Sequence, residues 1–122
     1  MLLWSKLMEP RSPQEVEDIA RECSLSAQKG EFAIVYTTHA RERMELRNIS
    51  EKEVESVLEF GKIQNGKERW NDKQQEYSYL IRDKNLNERD VTLAIGISEG
   101  KEENKVIIVT AELITPQTGS YL

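Results

Sequence analysis

At Gly61 the hydrophobic pattern changes period. Before it, apolar residues recur at helical spacing behind clear helix starts. After it, they come in short β-branched runs separated by polar turns. Helices first and consecutive strands afterwards imply an α+β domain, with N-terminal helices packed on an antiparallel meander of four to five strands.

The helical half divides at its caps. Ser12-Pro13-Gln14-Glu15 combines an N-cap serine, a first-turn proline and a glutamate placed to close a capping box. Val16, Ile19, Ala20 and Cys23 follow at helical spacing, so a helix should run to about Gln28 with Gly30 as its stop signal. Glu31–Tyr36 is short, β-branched and aromatic, and reads as extended chain leading into a second helix. Thr37 or Thr38 caps that helix, which should reach about Arg47. Ser50-Glu51-Lys52-Glu53 is a further capping box, and Val54, Val57 and Leu58 form the buried stripe of the helix it opens.

In the second half, Ile63-Gln64 and Lys67–Trp70 flank Asn65-Gly66, a favoured turn dipeptide, and suggest a hairpin. Tyr77–Arg82 alternates imperfectly, whereas Val91–Ile97 and Val106–Ala111 are the strongest strands. Polar turns are expected around Asp83 to Asp90 and Glu99 to Asn104.

At 122 residues, with 38% hydrophobic and 32% charged content, the chain has the balance of one globular domain. Its core is expected over about 31–113, with residues 1–30 as an N-terminal arm and helix and 114–122 as a loosely ordered tail. Met1–Met8 is apolar but too short and wrongly ordered for a secretory signal, and no stretch is long enough to span a bilayer. The lone Cys23 offers neither an intramolecular disulfide nor a metal pair, which suits a reducing, cytoplasmic setting. Cys23 on an apolar stripe reads as a small buried hydrophobe. Glu99, Glu102 and Glu103 lack the spacing of a metal loop, and no phosphate loop, HExxH or nucleophile elbow occurs. No cofactor or metal is expected.

The net charge of −5 argues against non-specific, charge-driven binding to nucleic acid. One segment reverses that sign. His39, Arg43 and Arg47 fall four residues apart, so a helix projects one imidazole and two guanidiniums from nearly the same face. Such a row is suited to an anion. The competing readings are a histidine bonded to a backbone carbonyl and arginines held in ordinary surface ion pairs with Glu42 and Glu45.

Thr38-His39-Ala40-Arg41-Glu42-Arg43-Met44, then Arg47-Asn48-Ile49-Ser50, then Glu53-Val54 and Leu58–Ile63, with Val106-Ile107-Ile108-Val109-Thr110 as a last strand, resemble a bacterial family known as domain of unknown function 4258. The resemblance covers roughly Phe32 to Leu113. Ala111 and Glu112 stand where the family often has a tyrosine after the final threonine. That family is similar in layout to the RelE-like and motility quorum-sensing regulator toxins, small RNases of RelE/barnase-like fold. The resemblance implies RNA cleavage without a metal and inhibition by a neighbouring antitoxin.

Such cleavage moves the 2′-OH onto the adjacent phosphorus and needs a base, an acid and cations for the phosphorane. His39 suits proton transfer, while Arg43 and Arg47 suit a grip on phosphate oxygens. Tyr79, Arg82 and Glu112 are candidates for the second proton transfer. Arg41, Tyr79 and Arg82 are candidates for substrate binding, and Trp70, Tyr77 and Tyr79 for base stacking. The function expected is therefore a toxin-like endoribonuclease with an antitoxin partner and an RNA or ribosomal target. The alternative is a non-catalytic protein-interaction module on the same fold. Trp70 and the tyrosines serving as partial core is the competing structural reading.

Overall fold

The computed structural model describes residues 9–72, 76–86, 89–99 and 104–113. The N-terminal arm over 1–8, the tail over 114–122, and Glu102 and Glu103 of the acidic turn lie outside the described residues. In chain order the elements are α1 (Pro13–Gln28), β1 (Ile34–Tyr36), α2 (Thr38–Arg47), α3 (Glu51–Phe60), β2 (Lys62–Ile63), β3 (Arg69–Asn71), β4 (Glu76–Leu86), β5 (Arg89–Glu99) and β6 (Asn104–Leu113).

Local chemistry accounts for the helix boundaries. The Ser12 side chain accepts from the Glu15 amide, while the Glu15 carboxylate turns to Arg11 at 3.5 Å instead of closing a capping box. At Ser50 the box is complete in both directions. Thr37, rather than Thr38, caps α2, and Asn48 ends it in the left-handed conformation that a short polar side chain tolerates.

The strands form one sheet in the order β1-β6-β5-β4-β2, with β3 also on β4. It is antiparallel except that β1 pairs in parallel with β6, Ile34 opposite Val106. The sheet thus has six strands instead of four to five. Lys62–Ile63 and Arg69–Asn71 do not form a hairpin with each other. Both pair with β4, opposite Ile81–Arg82 and Glu76–Ser78 respectively, so they make one interrupted edge. The loop between them retains the Asn65-Gly66 turn, with Gly66 at φ 80°.

β4 and β5 also run into the stretch read as turn, to Leu86 and from Arg89. Backbone pairing needs no buried face, and the apolar pattern marks only the part of a ribbon that has one.

The core lies between the helices and one face of the sheet. Tyr79 and Ile81, Val91, Leu93, Ile95 and Ile97, and Val106, Ile108 and Ala111 are buried there against Val54, Val57 and Leu58 of α3 and Met44 of α2. A bulge resets the alternation in β6: Ile95 faces Ile108, Ala94 faces Thr110, and Val109 is the extra residue. Helix α1 belongs to the same core. Val16, Ala20, Cys23 and Ser24 are buried, the Ser24 hydroxyl donates to the Glu55 carbonyl at 2.7 Å, and Glu17 accepts from the Ile63 amide at 2.8 Å. No described helix covers the opposite face of β4, β5 and β6, where Ser78, Leu80 and Arg82, Thr92, Ala94 and Gly96, and Ile107, Thr110 and Glu112 alternate with the core residues. No helix among the described residues is long and apolar enough to cross a membrane.

Candidate functional site

β1 is only three residues long, and among the described residues no strand pairs with the second half of β6 on that side. Helix α2 takes its place. The Thr37 amide donates to the Ile108 carbonyl at 3.2 Å, and its hydroxyl lies 3.1 Å from the carbonyl oxygens of both Ile108 and Val109. Ala40 and Met44 then point into the core. That orientation leaves the row a position earlier in each turn, His39 and Arg43, at the outer side of the helix.

His39 is exposed and Arg43 half-buried. Arg43 Nε lies 3.4 Å from His39 Nε2, a long contact that sets the guanidinium as donor and the ring nitrogen as acceptor. One turn on, Arg47 reaches the sheet: its Nη2 is 3.9 Å from Glu112 Oε2, with the two side chains 25% and 52% exposed.

Glu112 begins a cross-strand row on the open face. It pairs with Thr92, and Thr92 pairs with Arg82, so Arg82 lies two strand spacings, about 10 Å, from Glu112. Asp90 holds Arg82 through Nε at 2.9 Å and Nη2 at 2.6 Å. That hydrogen bond is the main reason the guanidinium is held above its ordinary pKa. Between these two charge pairs sits the Thr92 side chain, 9% exposed, and its Oγ1 has no hydrogen-bond partner among the described residues. Thr110 Oγ1, on the same face, is likewise buried and unpartnered. A buried hydroxyl left unmatched costs about 1–3 kcal/mol.

The other residues singled out from the sequence lie elsewhere. Tyr79 is on the core face, 3% exposed, and its hydroxyl accepts from the Arg11 amide at 2.8 Å. Burial is the largest cause raising its phenol pKa. It is three residues from Arg82, so alternation puts the two on opposite faces. Trp70 and Tyr77 continue from Tyr79 as an aromatic series, with ring centroids 5.1 Å apart for Trp70 and Tyr77 and 6.4 Å for Tyr77 and Tyr79. Arg41 is on the far side of α2 from His39, bonded to Glu51 at 2.5 Å and stacked 4.0 Å over the Tyr36 ring. Burial, then Glu51 and Glu55, push the Tyr36 phenol well up.

Two grooves of about 410 and 440 Å³ both include Arg41 and Glu51 in their walls. Neither includes His39, Arg43 or Arg47. Their walls carry Glu42 and Glu45, and Glu31 and Glu55, respectively, a lining that repels phosphate. Among the described residues no group of three or more His, Cys, Asp or Glu is placed to hold a metal ion.

Thus the structure brings His39, Arg43, Arg47 and Glu112 into one continuous surface, with Arg82 farther along it. It leaves Arg41 and Tyr79 outside. Asp90, Thr92 and Thr110 were not singled out from the sequence. Their common face with Arg82 follows only once the β4–β5–β6 register and the bulge at Val109 are known.

The segment bearing α2, α3 and the sheet, residues 36–112, matches the family described as domain of unknown function (DUF4258). The chain belongs to that family. No curated protein and no solved structure matches it. The DUF4258 match begins at the ring on which Arg41 stacks and contains His39, Arg43, Arg47, Arg82, Thr92 and Glu112. Helix α1 precedes it, although its side chains fill the same core.

Proposed function

We propose that the protein is a toxin-like, metal-independent endoribonuclease domain of a bacterial toxin–antitoxin pair, related to the RelE/barnase-like RNases and acting in the cytoplasm. The observation that carries this reading is the continuous row His39–Arg43–Arg47, which runs along α2 and meets Glu112 on the face of the sheet that no described helix covers.

In this reading Arg43 and Arg47 grip the non-bridging oxygens of the scissile phosphate and stabilise the charge gathered on the phosphorane. His39 Nε2, the acceptor nitrogen, takes the 2′-OH proton as the 2′-oxygen bonds to phosphorus. The 5′-oxygen departs with a proton from a second group, leaving a 2′,3′-cyclic phosphate and a 5′-hydroxyl. Of the three residues considered for that second transfer, Glu112 is the one that meets the cationic row. Tyr79 is on the other face and Arg82 is two strands away. The partner in this reading is an antitoxin protein that covers the row, and the target is RNA, free or on the ribosome.

Tightly induced expression of the wild type and His39→Ala, with growth and RNA ends followed together, tests the assignment. Growth arrest with new cyclic-phosphate ends is expected for the wild type, and cleavage falling about 10²–10⁴-fold for the variant. Equal cleavage by both proteins removes His39 from the mechanism. Absence of both arrest and cleavage overturns the nuclease reading in favour of a protein-interaction module.

A further inference from the structure

Thr92 is the most conspicuous unexplained side chain on the open face. Alternation directs it away from the core, yet it is 9% exposed and its hydroxyl meets no partner among the described residues. Its neighbours across the strands are Arg82 on one side and Glu112 on the other, and Thr110 adds a second unpartnered hydroxyl on the same face. A valine of the same shape would fill the position without an unmatched polar group, so packing alone does not account for a hydroxyl here.

The arginine beside it is prepared for a further ligand. Asp90 occupies Nε and Nη2 of Arg82, fixing the plane of the guanidinium and leaving the donors of Nη1. A guanidinium locked on one edge by a carboxylate and flanked by a hydroxyl is suited to a phosphate oxygen. On the solvent side stands Glu112, half-exposed, whose 3.9 Å approach to Arg47 is beyond hydrogen-bond length. Its carboxylate is therefore not held to Arg47 by a hydrogen bond above the hydroxyls.

We propose that Arg82, Thr92 and Thr110 form a second phosphodiester-binding position on the open sheet face, taking the backbone of single-stranded RNA beside the phosphate gripped by Arg43 and Arg47. Asp90 is its positioning residue. The substrate class rests on the nuclease reading above; the position itself rests on the buried hydroxyls and the locked arginine.

The test uses a fluorescein-labelled, short, mixed-sequence 2′-O-methyl RNA, which binds but offers no 2′-OH for cleavage. Fluorescence anisotropy is measured on the full chain for the wild type, Thr92→Val, Thr92→Ser, Thr110→Val and Arg82→Gln. Thr92→Val is expected to weaken binding about ten-fold while melting no lower than the wild type, and Thr92→Ser to restore it. Arg82→Gln should reduce the slope of log K against log salt by about 0.7, the signature of one lost phosphate contact on a single strand. If Thr92→Val fails to fold, Thr110→Val carries the same expectation. Wild-type affinity in Thr92→Val and Thr110→Val overturns the proposal, and so does failure of the wild type to bind the RNA. Binding that depends on Thr92, in a protein that cleaves no RNA, sinks the nuclease reading and leaves this position standing.

Discussion

At Gly61 the backbone runs so close to its surroundings that a methyl group would lie 2.5 Å from the Val57 carbonyl oxygen and 3.0 Å from both the Arg82 carbonyl and Ile81 Cγ1. The change of hydrophobic period falls at this glycine, and it ends α3. Its φ of −74° is open to any residue, so the requirement is space rather than conformation. Gly30 is the opposite case, with φ 91° and nothing near the position a Cβ would take. Gly61→Ala should therefore destabilise by about 1–3 kcal/mol, a fall in Tm of about 4–12 °C in a thermal melt. An unchanged Tm would show that α3 shifts freely away from β4. The same attention to single positions separates the arginines of the site. Arg43 and Arg47 follow from the spacing behind His39, whereas Arg41, two residues on, is committed to Glu51 and Tyr36.

Among the elements, α2 is the one whose placement decides the site, and Thr37 seats it. One hydroxyl caps the helix by accepting from the Ala40 amide at 3.0 Å and lies within 3.1 Å of two β6 carbonyls. Thr37→Ala is expected to cost about 1–2 kcal/mol and to speed amide hydrogen exchange in the first turn of α2, with Thr37→Ser close to the wild type. Exchange unchanged at Ala40 and Arg41 would refute that role. Helix limits were legible in the sequence because caps are local: Ser12, Thr37 and Ser50 act within three residues. Strand partners were not, because they are set by tertiary pairing. The parallel place of β1 beside β6, and the shared edge made by β2 and β3, depend on contacts far along the chain. The cationic row was visible from helical spacing alone. The polar row of Arg82, Thr92 and Glu112 required a register across three strands and a bulge that makes Ile108 and Ala111 inward neighbours.

For the molecule as a whole, the family match and the folding unit have different boundaries. The match begins at Tyr36, but Val16, Ala20 and Cys23 of α1 complete the core, and Ser24 and Glu17 tie it to α3 and β2. A fragment of residues 31–122 uncovers that surface and leaves the Ile63 amide without its acceptor. It should lose the cooperative melt of the full chain and bind a hydrophobic dye such as ANS. A fragment with the parent's sharp transition would make α1 an accessory.

The interrupted borders of the sheet carry one more consequence. β1 presents three residues, β2 two and β3 three, and α2 packs beside β6, with Thr37 bonded to the Ile108 and Val109 carbonyls. A neighbouring chain that joins by adding a strand needs a longer run of open amides and carbonyls than β1, β2 or β3 supplies. At these three strands the sheet is guarded against growing into a ladder of copies.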